Sequence, residues 1–290
     1  MGEVITIQEI PYEFPDRPKL NSMRNYGIPR RLQRWVRREE YLQWDWDIDS
    51  DQWENEQLVW YNEEMDRIYD GEWIIIDGEP TYINGMFYFF LQWFILENEY
   101  YPEFRDTSLE YFRFMEIAAR DSLSLGTILI KGRRLGASSM EASILLRNLL
   151  IHRNKRNGII SKTGDDARDI FDFATIGWQG LPSFLKPQIE GNEVPKKVIS
   201  VKKQSARIKK DQRVANKMEG LNNRLEWKAT AENSFDSGKL LRILVDESAK
   251  WLEVNIQKYW KIVQKCLTKG AIVVGKASFV SIVIKGVKGG

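Results

Sequence analysis

The sequence predicts an α/β fold, a mostly parallel sheet flanked by helices, entered through a lead-in region of different character. Two observations predict it. From about Gly126 onward, short β-branched runs alternate with longer amphipathic runs, the pattern of βαβ units around a parallel sheet. Before that point the chain is rich in charge and aromatic residues, with Trp35, Trp44, Trp46, Trp53 and Trp60 spread along a helical-looking stretch that contains no proline after Pro29. The expected division is a helical, aromatic-rich lead-in subdomain over residues 1–120 and an α/β core over 121–290.

Bulk properties bound the possibilities. With 290 residues, 43% of them hydrophobic, the chain has ample material for a buried core. A formal charge of only +2 means that any contact with nucleic acid must come from locally clustered charge. Cys266 is the sole cysteine, which excludes an intrachain disulfide, and with the single histidine His152 it supplies no Cys/His set for structural zinc. A reducing cytoplasm fits that usage. The N-terminus has no basic segment followed by an apolar one, so no secretory signal is expected. The most apolar run, Met86 to Leu96, is about half the ~20 residues needed to cross a bilayer and is interrupted by Gln92. It reads as a buried helix and no membrane span is expected. Tyr88, Phe89, Phe90 and Trp93 fall at helical spacing within it, as core rather than base-stacking groups.

Taken in order, Asp77-Gly78 and Asn84-Gly85 are turn signals around GEWIII and PTYI, a short hairpin leading into the Met86 run. In the core, Thr127 to Ile130 is the first strand, Ser138 to Ile151 a helix, Asn157 to Ser161 a strand and Asp165 to Trp178 a helix. Leu240 to Val245, Ile256 to Leu267 and Ala271 to Ile284 continue as strand, helix and strand. Between them lies one strongly basic stretch, Lys196 to Lys217.

A nucleotide phosphate is held where a buried strand runs into a glycine-bearing loop and then a helix, because backbone N–H groups and the helix N-terminus converge on it. TILIKGRRLGASSMEASILL has that plan. In the standard loop, G-x-x-x-x-G-K-[ST], the lysine neutralises phosphate and the hydroxyl binds Mg²⁺. Here Gly136 and Ser138 occupy the second glycine and the hydroxyl, Ala137 stands where the lysine is expected, and Lys131 holds the first position. Because the loop curls around the β-phosphate, a long side chain at its opening reaches the space normally served from its end. Arg133 and Arg134 add cationic donors, and Gly132 and Ser139 complete the loop. The alternative is an ordinary strand-to-helix turn with basic residues.

The other half of such a site is an apolar strand ending in acidic residues, one beside the metal and one beside the attacking water. LLRILVDESAKW supplies it, with Asp246 as metal ligand and Glu247 as general base. An acidic pair after a strand also caps helices. The two motifs in this order, with α/β pattern between them, point together to a P-loop ATPase of the type that has an additional strand and a catalytic glutamate, using ATP and Mg²⁺.

KGRRLGASS resembles the ATPase loop of tailed-bacteriophage large terminase subunits, in the form whose lysine has moved to the first position, and ILVDESAKW is similar to that family's acidic motif. INGMFYFFLQWFIL and YPEFRDTSLEYFRFMEIAARD resemble crAss-like phage terminases in particular. The resemblance covers most of residues 70–290. It implies that Lys131, Arg133, Arg134, Gly136 and Ser138 hold the triphosphate and metal, and that a packaging motor moves double-stranded DNA into a capsid. As partners it implies a portal protein, a small terminase subunit and further copies in a ring. The setting it implies is the host cytoplasm, transiently at the portal vertex. Terminases usually have an adenine-reading glutamine ahead of the loop, but RDTSLEYF has none, leaving Arg105 or Tyr111 as candidates. A Ser/Thr coupling residue follows the acidic motif in the family; Ser278 and Ser281 lie at that place. Full terminases continue into a two-metal nuclease. No such region is visible in this chain, and nuclease activity is not expected of it.

The basic stretch offers Lys202, Lys203, Arg207, Lys209 and Lys210 as sequence-indifferent contacts to DNA phosphates, or alternatively as a solvated or subunit-contacting surface. Two rival functions remain: a helicase-like DNA-dependent ATPase, and a non-hydrolysing nucleic-acid or capsid-docking module.

Overall fold

The computed structural model describes residues 4–7, 10–13, 32–33, 37–48, 50–97, 99–132, 135–192, 194–201 and 221–282. Trp35 falls outside them. The described residues form two compact units: one takes those up to Asp121 together with Ile176–Gln188 and Leu221, the other Ser122–Thr175, Ile189–Val201 and the residues from Asn222.

In the first unit, β1 (Val4–Ile7) pairs antiparallel with β2 (Ile10–Glu13), and β3 (Leu32–Gln33), β4 (Glu72–Ile76) and β5 (Glu79–Ile83) form an antiparallel sheet in that order. Asp77 and Gly78, at φ 51° and 89°, make the two-residue β4–β5 turn that the sequence signals. Its helices are α1 (Arg37–Glu40), α2 (Asn55–Asp70), α3 (Gly85–Gln92) and α4 (Asp106–Arg120). The tryptophan-rich stretch is not one helix. After α1 a 3-10 turn covers Tyr41–Gln43, and Trp44 and Trp46 lie in irregular backbone before α2 begins.

The cause is tertiary. The rings of Tyr41, Trp46, Trp60, Tyr61 and Trp93 all surround buried Phe184, with centroids 4.6–6.3 Å from it, and that cluster sets the backbone rather than helical spacing. Asn84-Gly85 is a helix start rather than a turn. Asn84 Oδ1 accepts from the Phe87 N–H at 3.0 Å, capping α3, while its amide nitrogen donates to the Phe112 carbonyl at 2.8 Å. Tyr88, Phe89, Phe90 and Trp93 are buried, as their spacing predicts. Beneath them the fully buried Glu64 accepts from Tyr88 Oη and, at 2.6 Å, from Trp93 Nε1; burial and this carboxylate hold the Tyr88 phenol well above its usual pKa.

The second unit contains a six-stranded sheet in the order β6 (Gly126–Lys131), β13 (Lys276–Ile282), β10 (Arg242–Asp246), β7 (Arg156–Ile160), β9 (Arg224–Trp227) and β8 (Val198–Ser200). Every neighbouring pair is parallel except β8 with β9. Its helices include α5 (Ala137–Ile151), α7 (Ile256–Val263) and the part of α6 (Gly164–Gln179) that precedes Ile176. The expected strand over Ala271–Ile284 is split into β12 (Ile272–Val273), which forms a small hairpin with β11 (Thr268–Lys269) just ahead of it, and the central strand β13. Gly275 marks the break. A side chain there would meet the Leu240 carbonyl oxygen at 1.9 Å, so only glycine lets the chain pass β10 and enter the sheet.

Parallel register fixes which residues share a face. Thr127, Ser278 and Leu244 are aligned, as are Leu129, Val280 and Asp246; Arg242 of this face meets Glu141 of α5. The opposite face carries Ile243, Val245 and Ala277, packed with Tyr259 and Val263 of α7, while Trp260 of α7 lies against Phe279 at 5.4 Å. Among the described strands β6 is an edge, and Ile128 and Ile130 on this second face are 75% and 68% exposed. Among the described residues no helix is long and apolar enough to cross a membrane.

Phe184→Ala is expected to remove about 3–5 kcal/mol of unfolding free energy, the usual loss for emptying a large aromatic site. Urea unfolding followed by tryptophan emission measures it. A midpoint unchanged from wild type would mean that the ring cluster is not the cooperative core of its unit.

Candidate functional site

The site lies at the C-terminal ends of parallel strands, where helix N-termini and loops converge. β6 delivers Lys131 as its last residue. Gly132 and Leu135 are exposed, and Gly136 takes a left-handed conformation (φ 70°) that a side chain would strain, turning the chain into α5 at Ala137. Ala137 is buried, while Ser138 and Ser139 are half-buried in the first turn of α5. The helix behind them is buried on nearly every side, which makes it a rigid base for the loop. Arg133 and Arg134 lie outside the described residues.

Two strands away, β10 ends in Asp246, buried, and the chain turns sharply at Glu247, a non-glycine residue at φ 49°, into a 3-10 turn over Ser248–Lys250. β13 lies between, and Lys131 is level with Ile282 whereas Asp246 is level with Val280, so the two stand on the same face of the sheet but two strands and two residues apart, about 11–12 Å between backbones. An extended lysine side chain reaches part of the way. Burial, and then the neighbouring Glu247 carboxylate, push Asp246 up to about 6; a hydrogen bond from Ser161 Oγ at 3.1 Å and the positive charge of Lys131 oppose the rise. The lysine at the loop's opening therefore acts electrostatically on the carboxylate that ends the acidic strand. Glu247 Oε2 stands 2.9 Å from Lys250 Nζ, an ion pair whose direction is not that of a hydrogen bond. Trp251 Nε1 donates to the Asp246 carbonyl at 3.1 Å and fixes the strand end.

Several residues that pattern reading does not single out complete the site. β7 runs into Ser161, Lys162 and Thr163. Ser161 bonds Asp246, and Lys162 pairs with Asp166 at 2.9 Å; that carboxylate, with Glu247 and Asp246 beyond it, holds the ammonium above its usual range. Thr163 caps α6 by accepting from the Asp166 N–H at 3.1 Å. Their position at the end of a parallel strand is the only sequence signal that could have marked them.

The two coupling candidates sit differently. Ser281 Oγ accepts from the Ala249 N–H at 3.3 Å, touching the turn that follows Glu247, whereas Ser278 is buried farther back along β13 and accepts from Arg242 Nη2 at 2.6 Å. Both adenine candidates are in the first unit: Tyr111 is buried against Phe112, and Arg105 pairs with Glu103 at 3.0 Å. Lys202, Lys203, Arg207, Lys209 and Lys210 lie outside the described residues.

The donors present suit Mg²⁺. That ion is usually held by one or two carboxylates and by phosphate oxygens rather than by a protein cage. No group of three His, Cys, Asp or Glu able to cage a metal exists among the described residues, while the buried, charge-starved Asp246 is the kind of carboxylate a cation relieves.

The chain thus has a mostly parallel six-stranded sheet flanked by helices, with a glycine loop running into a buried helix, an acidic strand two places away and one strand inserted between them, the arrangement the sequence leads one to expect. Solved structures to which the chain is similar include three from phages. They are the large terminase of bacteriophage HK97 (TM-score 0.48, 14% identity, covering 68% of this chain and 36% of that one), the large terminase ATPase domain of Thermus phage P74-26 (0.41, 14%, 58% and 63%) and the large terminase of a further, thermophilic bacteriophage in complex with ADP (0.37, 12%, 56% and 34%). The match thus spans 36% of the length of the HK97 protein. No protein-family model matches the sequence, and no curated protein matches it.

A carboxylate whose pKa rises on folding favours the folded state while protonated and opposes it once ionised. The stability linked to Asp246 is therefore full below pH ~4 and lost as pH rises through about 6, a loss of about 3 kcal/mol for a two-unit shift. In EDTA at pH 7.5, Asp246→Asn is expected to raise the thermal midpoint, with the gain shrinking as pH falls toward 4.5. A gain that does not depend on pH would show that Asp246 is not electrostatically strained.

Proposed function

We propose that this chain is the ATP-hydrolysing motor of a viral DNA-packaging machine, the ATPase of a large terminase, coupling hydrolysis to movement of double-stranded DNA into a capsid. The observation that carries the proposal is that Lys131 and Asp246 end strands on either side of β13, on one face of the sheet, with the lysine's charge bearing on the carboxylate and Glu247 next to it. It supports the moved-lysine loop that the sequence resembles. Lys131, Gly132, Arg133, Arg134, Gly136, Ala137, Ser138 and Ser139 would cradle the triphosphate, the backbone donors of α5 facing its anionic oxygens. Ser138 and Asp246 would hold Mg²⁺, which supplies charge neutralisation across the β- and γ-phosphates when bound. Glu247 would orient and deprotonate the attacking water once its carboxylate parts from Lys250, and Arg134 would balance the charge that develops on the transferred phosphoryl group. Ser281, touching the turn after Glu247, is better placed than Ser278 to pass the state of that turn to β13.

Partners follow from the same proposal. Double-stranded DNA would be gripped through its phosphates, with Lys202, Lys203, Arg207, Lys209 and Lys210 as candidates, each contact lowering the slope of log K against log salt by about 0.9. A portal protein, a small terminase subunit and further copies in a ring would complete the motor in the host cytoplasm.

ATP turnover with and without double-stranded DNA tests this. Glu247→Gln is expected to lower kcat by about 10²–10⁴-fold, the range for losing a general base. Lys131→Ala is expected to lower it by about 10²–10³-fold, as for other lost electrostatic contacts to a transition state. Wild-type chain that neither binds nor hydrolyses ATP would favour the docking module. Hydrolysis indifferent to Lys131→Ala would remove the moved-lysine argument alone.

A further inference from the structure

Below the site, one cluster of charged and polar side chains is withdrawn from solvent altogether. Glu141 of α5 is fully buried, Arg242 of β10 and Ser278 of β13 nearly so. Arg242 clasps Glu141 with both arms of its guanidinium, Nε to Oε2 and Nη2 to Oε1, each at 3.0 Å, and Nη2 also donates to Ser278 Oγ at 2.6 Å. The three elements joined are those that carry the chemistry. Glu141 lies one helical turn past Ser138, Arg242 lies on β10 on the same face as Asp246, and Ser278 sits on the strand between the loop strand and the acidic strand.

Stability does not account for the cluster. Taking an arginine and a glutamate out of water is so costly that a buried pair seldom outperforms apolar side chains of the same volume. A bidentate guanidinium–carboxylate clasp does fix distance and orientation more tightly than apolar packing can. A nucleotide site needs such precision, because the hydroxyl on α5 and the carboxylate on β10 must meet one ion.

We propose that Glu141, Arg242 and Ser278 are positioning residues that set the separation between the phosphate-loop helix and Asp246, so that metal-dependent nucleotide binding and turnover depend on them out of proportion to their effect on folding. The proposal rests on the ATPase function argued above.

The test compares wild type, Glu141→Leu/Arg242→Met, Ser278→Ala and Ser278→Thr in the full chain. Thermal midpoints are measured without ligand. Affinity for ATPγS is measured by calorimetry in EDTA, which reports the loop, and in Mg²⁺, which adds Asp246; kcat and KM for ATP complete the set. The double variant is expected to keep its thermal midpoint and its affinity in EDTA, yet to lose most of the gain in affinity that Mg²⁺ confers, and about tenfold or more in kcat, as slight misplacement of reacting groups does. Ser278→Ala is expected to move the same two quantities in the same direction by less, and Ser278→Thr to restore them. Should the double variant fail to fold, the serine pair decides by the same criterion. Full Mg²⁺ gain and full kcat in either the folded double variant or Ser278→Ala overturns the positioning role while leaving the ATPase intact. Absence of any Mg²⁺-dependent binding in wild type overturns the ATPase and the positioning role together.

Discussion

Everything at the site follows from the insertion of β13 between β6 and β10. It sets two strand spacings between the loop strand and the acidic strand, so that Lys131 at the end of β6 and Asp246 at the end of β10 face each other across β13. With Ala137 in the customary lysine position, Lys131 is the lysine this loop offers, beside Arg133 and Arg134. β13 also bounds Asp246 on one side, while β7 bounds it on the other with the Ser161 hydroxyl. The carboxylate is enclosed by neighbours that only partly offset its burial.

The site therefore holds two kinds of tension. One is electrostatic, in an aspartate raised to about 6 beside a second carboxylate. The other is conformational, in Glu247 at φ 49°, an angle that non-glycine residues adopt at a penalty and that clusters at functional positions. The surroundings hold both in place. Trp251 anchors the strand end through the Asp246 carbonyl, and Lys250 pairs with the glutamate. Stability is given up locally to hold two adjacent carboxylates at the end of a strand.

Much of this was legible in sequence because the relevant signals are local. The run from Thr127 to Ile130, the glycine loop, the helix after it and the apolar approach to Asp246-Glu247 each announce themselves within a dozen residues. What was not legible depends on contacts between distant positions. Ser161 meets Asp246 from 85 residues away, and Arg242 meets Glu141 from 101, so no periodicity records either. β9 is a four-residue strand, RLEW, whose charges satisfy Arg156 and its own Arg224 rather than alternating cleanly with apolar residues. The tryptophan stretch has helical spacing but is shaped by packing around Phe184, and Asn84-Gly85 has turn chemistry but is used as a cap. In both, local propensity is overruled by what the side chains must touch.

The exposed flank of β6 has a consequence for handling the protein. Among the described strands, β6 is a six-residue strand with a neighbour on one side, and its Ile128 and Ile130 are open to water, which puts an apolar surface at a sheet edge. Such an edge recruits any extended chain able to lie alongside it. The strand that ends in Lys131 is thus also a place where concentrated solutions of the protein are prone to association, and a lysine in place of Ile128 is the natural gatekeeper.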